Sequence, residues 1–152
     1  MPERHADWLR QAKRDLAHAR NAAEDGDYEW SCFAAQQGAE KAVKAVYQRL
    51  GAAAWGHSVT MLLTNLPQTC RPPETLVERA KALDKHYIPA RYPNGFERGA
   101  PMDYYTRLEA DRSVQDAQTI IHFCEDTLAG LAERDRETQN RHVSDESAPS
   151  GD

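Results

Sequence analysis

Hydrophobic residues recur at helical spacing over the opening part of the chain. Between Ala6 and Glu24 the apolar positions form one stripe, while the basic residues lie elsewhere on the predicted helix. Asp27 is placed to cap a second helix, which ends near Leu50 because Gly51 is a typical helix stop. The pattern therefore predicts two long amphipathic helices in succession.

A short helix and another long one follow. Ser58 is placed to cap the short helix, and Pro67 ends it. Pro72-Pro73 suits the entry to the next helix, whose apolar stripe runs to Ile88. The segment from Ala90 to Tyr105 is rich in proline and glycine, which predicts an irregular loop.

A capping box opens the last predicted helix, and a polar segment follows that helix. Thr106 and Glu109 form the box. Beyond Glu133 the chain has no aromatic residue and few apolar ones, which predicts a disordered tail. No segment alternates as a strand does. We therefore expect an all-α fold, an antiparallel bundle of four longer helices plus one short helix over residues 1–133, with the tail at residues 134–152.

Length and composition exclude several classes of protein. A chain of 152 residues suits one domain, and its net charge of -5 argues against a protein that coats nucleic acid by bulk charge. Any RNA contact must therefore be a local site. No apolar run approaches the roughly 20 residues that cross a bilayer, and the start lacks a signal-peptide core, so we expect a cytoplasmic protein without membrane contact. The three cysteines are widely spaced, and neither a metal nor a cofactor motif is present.

An aromatic and basic strip ends the fourth predicted helix. It reads Leu83-Asp84-Lys85-His86-Tyr87-Ile88-Pro89-Ala90-Arg91-Tyr92-Pro93. Pro89 and Pro93 restrict their own φ and the residues before them, so Arg91 is presented from a stiff connector. A guanidinium beside aromatic rings suits a phosphate with a stacked base. The alternative is that Arg91 caps helix carbonyls. The candidate ligand-binding residues of the strip are Lys85, Tyr87, Arg91 and Tyr92.

Polar residues on and after the second predicted helix form another candidate group. Gln37, Lys41 and Lys44 share one helix side, and His57 precedes the short helix. These four residues are candidate ligand-binding residues. The alternative is a solvated face with an ion pair between Glu40 and Lys44, and a turn-forming His57.

Three blocks of the sequence resemble the HEPN domain family. The strip matches the family's Leu-Asp-x-x-Tyr-Ile-x-x-Arg-Tyr-Pro element, and residues 33–45 are similar to its Phe-x-x-Gln-Gln-x-x-Glu-Lys-x-x-Lys-Ala helix. The opening Trp8-Leu9-x-x-Ala12-x-x-Asp15-Leu16 is the third block. His57 also falls where a histidine commonly opens the next helix of the family. The resemblance covers about residues 8–131.

The resemblance implies a nucleotide- or RNA-binding domain that works with a separately encoded nucleotidyltransferase in a two-gene module, as in some toxin–antitoxin systems. A second alternative is a metal-independent endoribonuclease, because many family members pair an arginine with a histidine about four to six residues on. Arg79 and His86 lie near that spacing and are the candidate catalytic pair. A third alternative is a non-catalytic dimeric scaffold.

The sequence also predicts a homodimer. Gln36 falls within the apolar arc of its helix, so its amide must be paired, either across the bundle or with its copy across a two-fold axis. Phe96 and Met102 add apolar surface in a loop, which one small bundle does not easily cover.

Overall fold

Helices account for the regular secondary structure of residues 4–146, which are the residues that the computed structural model describes. The helices are α1 (His5–Asp25), α2 (Tyr28–Leu50), α3 (Val59–Thr64), α4 (Glu74–Asp84), α5 (Pro101–Tyr104) and α6 (Arg107–Glu146), with 3-10 turns at Gln68–Cys70 and Pro93–Gly95. The predicted all-α fold with four longer helices is confirmed. The single-turn α5 lies in the segment predicted to be an irregular loop. It forms there because Pro101 opens it and the Asp103 carboxylate accepts the Ala100 N–H at 2.9 Å.

Small residues bring α1 and α2 close together. A Cβ atom at Gly38 would lie 3.1 Å from the Ala12 carbonyl oxygen, which leaves room for little more than hydrogen at this point. Alanines fill the rest of the contact without exposure: Ala12, Ala19, Ala35, Ala39 and Ala42. The close packing places Asp15 of α1 beside Lys41 of α2.

Several helix ends use the predicted signals, but α4 ends at Asp84, short of the predicted end at Ile88. Gly51 ends α2 with a φ of 68°, which side chains disfavour. The Ser58 hydroxyl accepts the Met61 N–H at 3.1 Å. At the start of α6, Glu109 N–H donates to the Thr106 hydroxyl at 3.2 Å, and Thr106 N–H donates to the Glu109 carboxylate at 3.3 Å. Asp27 occupies the cap position of α2, although its side chain makes no capping bond.

The end of α6 differs from the predicted disordered tail. Residues 134–146 continue the helix with exposed side chains. The segment contains neither glycine nor proline, and about half of its residues are the strong helix formers Arg, Glu and Gln, so its low apolar content prevents burial without preventing a helix. Arg49 of α2 also pairs with Asp135. Residues 147–152 of the predicted tail lie outside the described residues, and a domain boundary at residue 133 stays a prediction.

The cysteines and ionisable side chains of the described range do not form a metal-binding cluster. The three cysteines are free and buried, and burial raises the pKa of the Cys32 thiol to about 12. Residues 4–146 hold no group of three or more His, Cys, Asp or Glu side chains that could bind a metal ion. None of the helices in this range is both long and apolar enough to cross a membrane.

Candidate functional site

Arg91 lies among three aromatic rings just after α4. Its guanidinium carbon lies 4.5 Å from the ring centre of Phe33, 4.5 Å from that of Tyr87 and 5.1 Å from that of Tyr92. Arg91 Nε donates to the Tyr87 carbonyl at 2.8 Å. Its two terminal nitrogens have no hydrogen bond or ion pair with the described residues. Phe33, Tyr87, Arg91 and Tyr92 form what we call the Arg91 clamp.

Further aromatic rings extend the clamp on both sides. His57 stacks on Tyr87 with 4.9 Å between ring centres, and Trp30 meets Phe33 edge-on at 6.3 Å. Trp30 and Tyr92 are each 49% exposed, so their rings can still be covered by a ligand. Exposed aromatic faces beside a guanidinium suit the base and phosphate of a nucleotide.

Glu40 is a buried carboxylate that organises two of the predicted site residues. Its Oε2 lies 3.3 Å from Lys44 Nζ, and its Oε1 lies 3.2 Å from His57 Nδ1. The expected ion pair between Glu40 and Lys44 is therefore present. It lies inside the fold, however, because Glu40 is only 4% exposed, and it does not form part of a solvated face. The Glu40 carboxylate therefore compensates the positive charge of Lys44 and holds the His57 ring in position against the clamp.

Asp84 caps α3 from across the bundle. Its carboxylate accepts the backbone N–H groups of Val59 and Thr60, each at 2.9 Å. It also accepts the hydroxyls of Ser58 and Thr60 at 3.1 and 2.6 Å, and the Gln36 amide at 3.4 Å. No local sequence pattern pointed to this role of Asp84, because the groups of α3 that it binds lie 24 to 26 positions away in the chain.

Gln36 is fully buried and paired across the bundle, which confirms the first of its two predicted alternatives. Its Nε2 donates to the His57 carbonyl at 2.8 Å as well as to Asp84. Its Oε1 accepts from Gln37 Nε2 at 2.8 Å. Because its amide is satisfied within one chain, Gln36 no longer argues for a copy across a two-fold axis.

A pocket of about 300 Å³ adjoins the clamp through Phe33. Asp15 and Lys41 form an ion pair at its wall, with 2.5 Å between Oδ2 and Nζ, so Lys41 is engaged rather than free. Gln37 also faces the pocket. The lining residues are Asp15, His18, Trp30, Phe33, Ala34, Gln37 and Lys41.

Arg79 and His86 each bind a residue near or within α6. Arg79 Nη1 donates to Asp116 Oδ1 at 2.8 Å, and His86 Nδ1 lies 2.9 Å from Tyr105 Oη. The two candidate catalytic residues share no hydrogen bond, although both interact electrostatically with Asp116. Burial raises the pKa of Asp116 against the opposing effect of Arg79. Lys85 is exposed beside this group. A catalytic role for Arg79 and His86 stays a prediction.

The stability of the fold should depend on the protonation of His86. Burial, helped by Lys85, lowers the His86 pKa below its ordinary 6.5 despite the carboxylates of Glu109 and Asp116. As the pH falls from near 6.5 to the lowered pKa of the folded state, His86 therefore binds more protons in the unfolded chain than in the folded one, and stability is lost over that range. His86→Gln should lose less stability than wild type between about pH 7.5 and about pH 5.5 in urea titrations. His122→Gln, at an exposed site, is the control, and equal losses in all three proteins would contradict the expectation.

Residues 5–127 match the family described as the HEPN domain. The chain belongs to the HEPN domain family. Solved structures agree with this assignment. TT1696 from Thermus thermophilus is 48% identical with a TM-score of 0.81, and the match covers 83% of this chain and 99% of that one. ST0689, an archaeal HEPN homologue, is 43% identical with a TM-score of 0.70, covering 83% of this chain and 98% of that one.

Two further comparisons give similar coverage of this chain. A HEPN domain protein from Thermotoga maritima is 46% identical with a TM-score of 0.67, and the match covers 81% of this chain and 98% of that one. The protein named "Putative toxin MJ1304" from Methanocaldococcus jannaschii is 26% identical over 130 residues, which are 80% of this chain and 86% of that protein. The predicted family membership is confirmed.

Proposed function

We propose that this HEPN domain binds a nucleotide or an RNA phosphate at the Arg91 clamp, as the toxin-like component of a two-gene module. The proposal rests on one observation, which is that only one of the three guanidinium nitrogens of Arg91 is hydrogen-bonded to the described residues. Its Nε is fixed on the Tyr87 carbonyl, while both terminal nitrogens remain available. A planar guanidinium held by rings is preorganised for phosphate oxygens, so little side-chain freedom is lost on binding.

Local charge supports the same site. Lys41 is paired with Asp15 and Lys44 with Glu40, so neither offers an uncompensated cation. Arg91 and the exposed Lys85 remain positive without an acidic partner among the described residues. In a chain of net charge -5, this arrangement favours binding of one phosphate group over coating by a long nucleic acid.

Similarity to a protein named as a toxin supports the toxin-like part of the proposal. A nucleotidyltransferase partner, a homodimer and a cytoplasmic location belong to the same proposal. Apolar side chains are available for protein contacts, since Trp55 is 85% exposed, Met102 71% and Leu108 58%.

Arg91→Ala should weaken nucleotide or RNA binding by about 1.5–3 kcal/mol, the range for hydrogen bonds to charged groups. Arg91→Lys should bind with intermediate affinity, because it restores the charge without the planar fork. Calorimetric titration measures the affinities, and circular dichroism and melting temperature report the fold. Arg71→Ala, at an exposed site, is the matched control.

Two outcomes would count against the proposal. One is a folded Arg91→Ala variant that binds nucleotide and RNA as wild type does. The other is RNA cleavage without metal that disappears in Arg79→Ala or His86→Ala, which would favour the ribonuclease alternative.

A further inference from the structure

The pocket beside the clamp has two aromatic walls. The rings of Trp30 and Phe33 meet there at 75°, and Phe33 also carries the Arg91 guanidinium. A ligand that spans the Phe33 ring therefore reaches both the pocket and Arg91. The volume of about 300 Å³ is at the lower end for ligand pockets, which suits one flat ring system better than a whole nucleotide.

The pocket wall carries one positive and one negative side chain, which form an ion pair. Lys41 and Asp15 are in direct contact, and both line the wall. A phosphate entering here would have to compete with Asp15 for Lys41 and would be repelled by the carboxylate. A neutral planar group avoids this repulsion and can stack on Trp30, whose ring is half exposed.

Hydrogen bonds fix which atoms Gln37 offers to the pocket. The Gln36 nitrogen points to the His57 carbonyl and the Asp84 carboxylate, which only accept, so the Gln36 oxygen must be the atom that faces Gln37. Gln37 must then donate through Nε2. Its Oε1 and its second N–H remain without a partner among the described residues. Gln37 thus keeps one acceptor and one donor for a ligand.

We propose that this pocket binds the adenine base of a nucleotide or RNA residue whose phosphate is held by Arg91. A glutamine amide pairs with adenine through two bonds: its oxygen accepts from the N6 amino group and its nitrogen donates to N7. The same edge of guanine carries two acceptors, which would leave the Gln37 oxygen unpaired. The purine also covers more of the Trp30 ring than a pyrimidine does. This inference rests on the proposed function, since Arg91 supplies the phosphate contact.

The test is a titration of AMP, GMP, UMP, adenosine and ribose 5-phosphate against the full chain. AMP should bind about 5- to 100-fold more tightly than GMP or UMP. Gln37→Ala should remove that preference. Trp30→Ala should weaken the binding of AMP by about 5- to 100-fold. Arg91→Ala should weaken the binding of AMP while leaving the affinity for adenosine unchanged. Gln48→Ala on the same helix and Trp55→Ala, both at exposed sites, are matched controls that should bind as wild type does.

The failures are distinguishable. If AMP, GMP and UMP bind equally and Arg91→Ala weakens all three, the adenine pocket is wrong and the phosphate site stands. If adenosine binds as tightly as AMP through Gln37 and Trp30, the pocket stands and the Arg91 proposal is wrong. Binding of none of the five compounds overturns both. Trp30→Ala keeps the test decisive if Gln37→Ala disturbs the buried amide pair.

Discussion

Asp84→Ala should lower the free energy of unfolding by about 2–4 kcal/mol. The carboxylate accepts the N–H groups of Val59 and Thr60, the first residues of α3, and it also holds the Gln36 amide. Alanine removes the acceptor for all three groups, and partly buried donors without a partner are costly. Urea denaturation followed by circular dichroism measures the loss.

Two variants sharpen this experiment. Asp84→Asn keeps one carbonyl oxygen, so its loss should be smaller than that of Asp84→Ala. Asp126→Ala removes an aspartate that is 73% exposed at its side chain, and it should change stability by less than about 0.5 kcal/mol. A loss in Asp84→Ala as small as that of the control would show that α3 does not need the Asp84 carboxylate.

Glu40→Leu should also lower the free energy of unfolding by about 2–4 kcal/mol, because it leaves the charge of Lys44 largely buried without a partner. The Lys44 side chain is only 13% exposed and contacts the Glu40 carboxylate at 3.3 Å. The double variant Glu40→Leu with Lys44→Met removes both charges and should recover most of the lost stability. Chemical denaturation of the two single variants and the double variant gives the coupling between the sites. A double variant no more stable than Glu40→Leu would place the loss in packing or in the contact between Glu40 and His57, rather than in the charge of Lys44.

Local sequence signals predicted several helix ends because the residues that form each cap or stop are close together in the chain. The stop at Gly51, the cap at Ser58 and the box of Thr106 and Glu109 each involve residues within one helical turn. The Asp84 cap joins residues separated by 24 to 26 positions, so no local pattern could indicate it. The composition of residues 134–146 predicted disorder where the structure has a helix. Composition indicates whether a segment can be buried, whereas helix formation there depends on helix propensity.

The sequence named candidate site residues without the contacts that the structure shows between them. The i, i+4 rule gave the contact between Glu40 and Lys44, but not its burial. For Arg91 the sequence left a phosphate role and a capping role as alternatives. The structure divides the guanidinium between two surroundings: Nε donates to the carbonyl of Tyr87, which lies in the turns after α4 and not in a helix, whereas both terminal nitrogens have no partner among the described residues. That division depends on the three rings around the guanidinium, which come from α2 and from the turns after α4.

The length of α6 also affects how the molecule moves in solution. A helix of 40 residues is about 60 Å long, and the exposed residues 134–146 make up about 20 Å of that length. A rod of this kind raises the frictional coefficient of the protein above that of a sphere of equal mass. A single chain will therefore elute early from a sizing column and resemble a larger species. Sedimentation equilibrium depends on mass and not on shape, and it separates one chain from two.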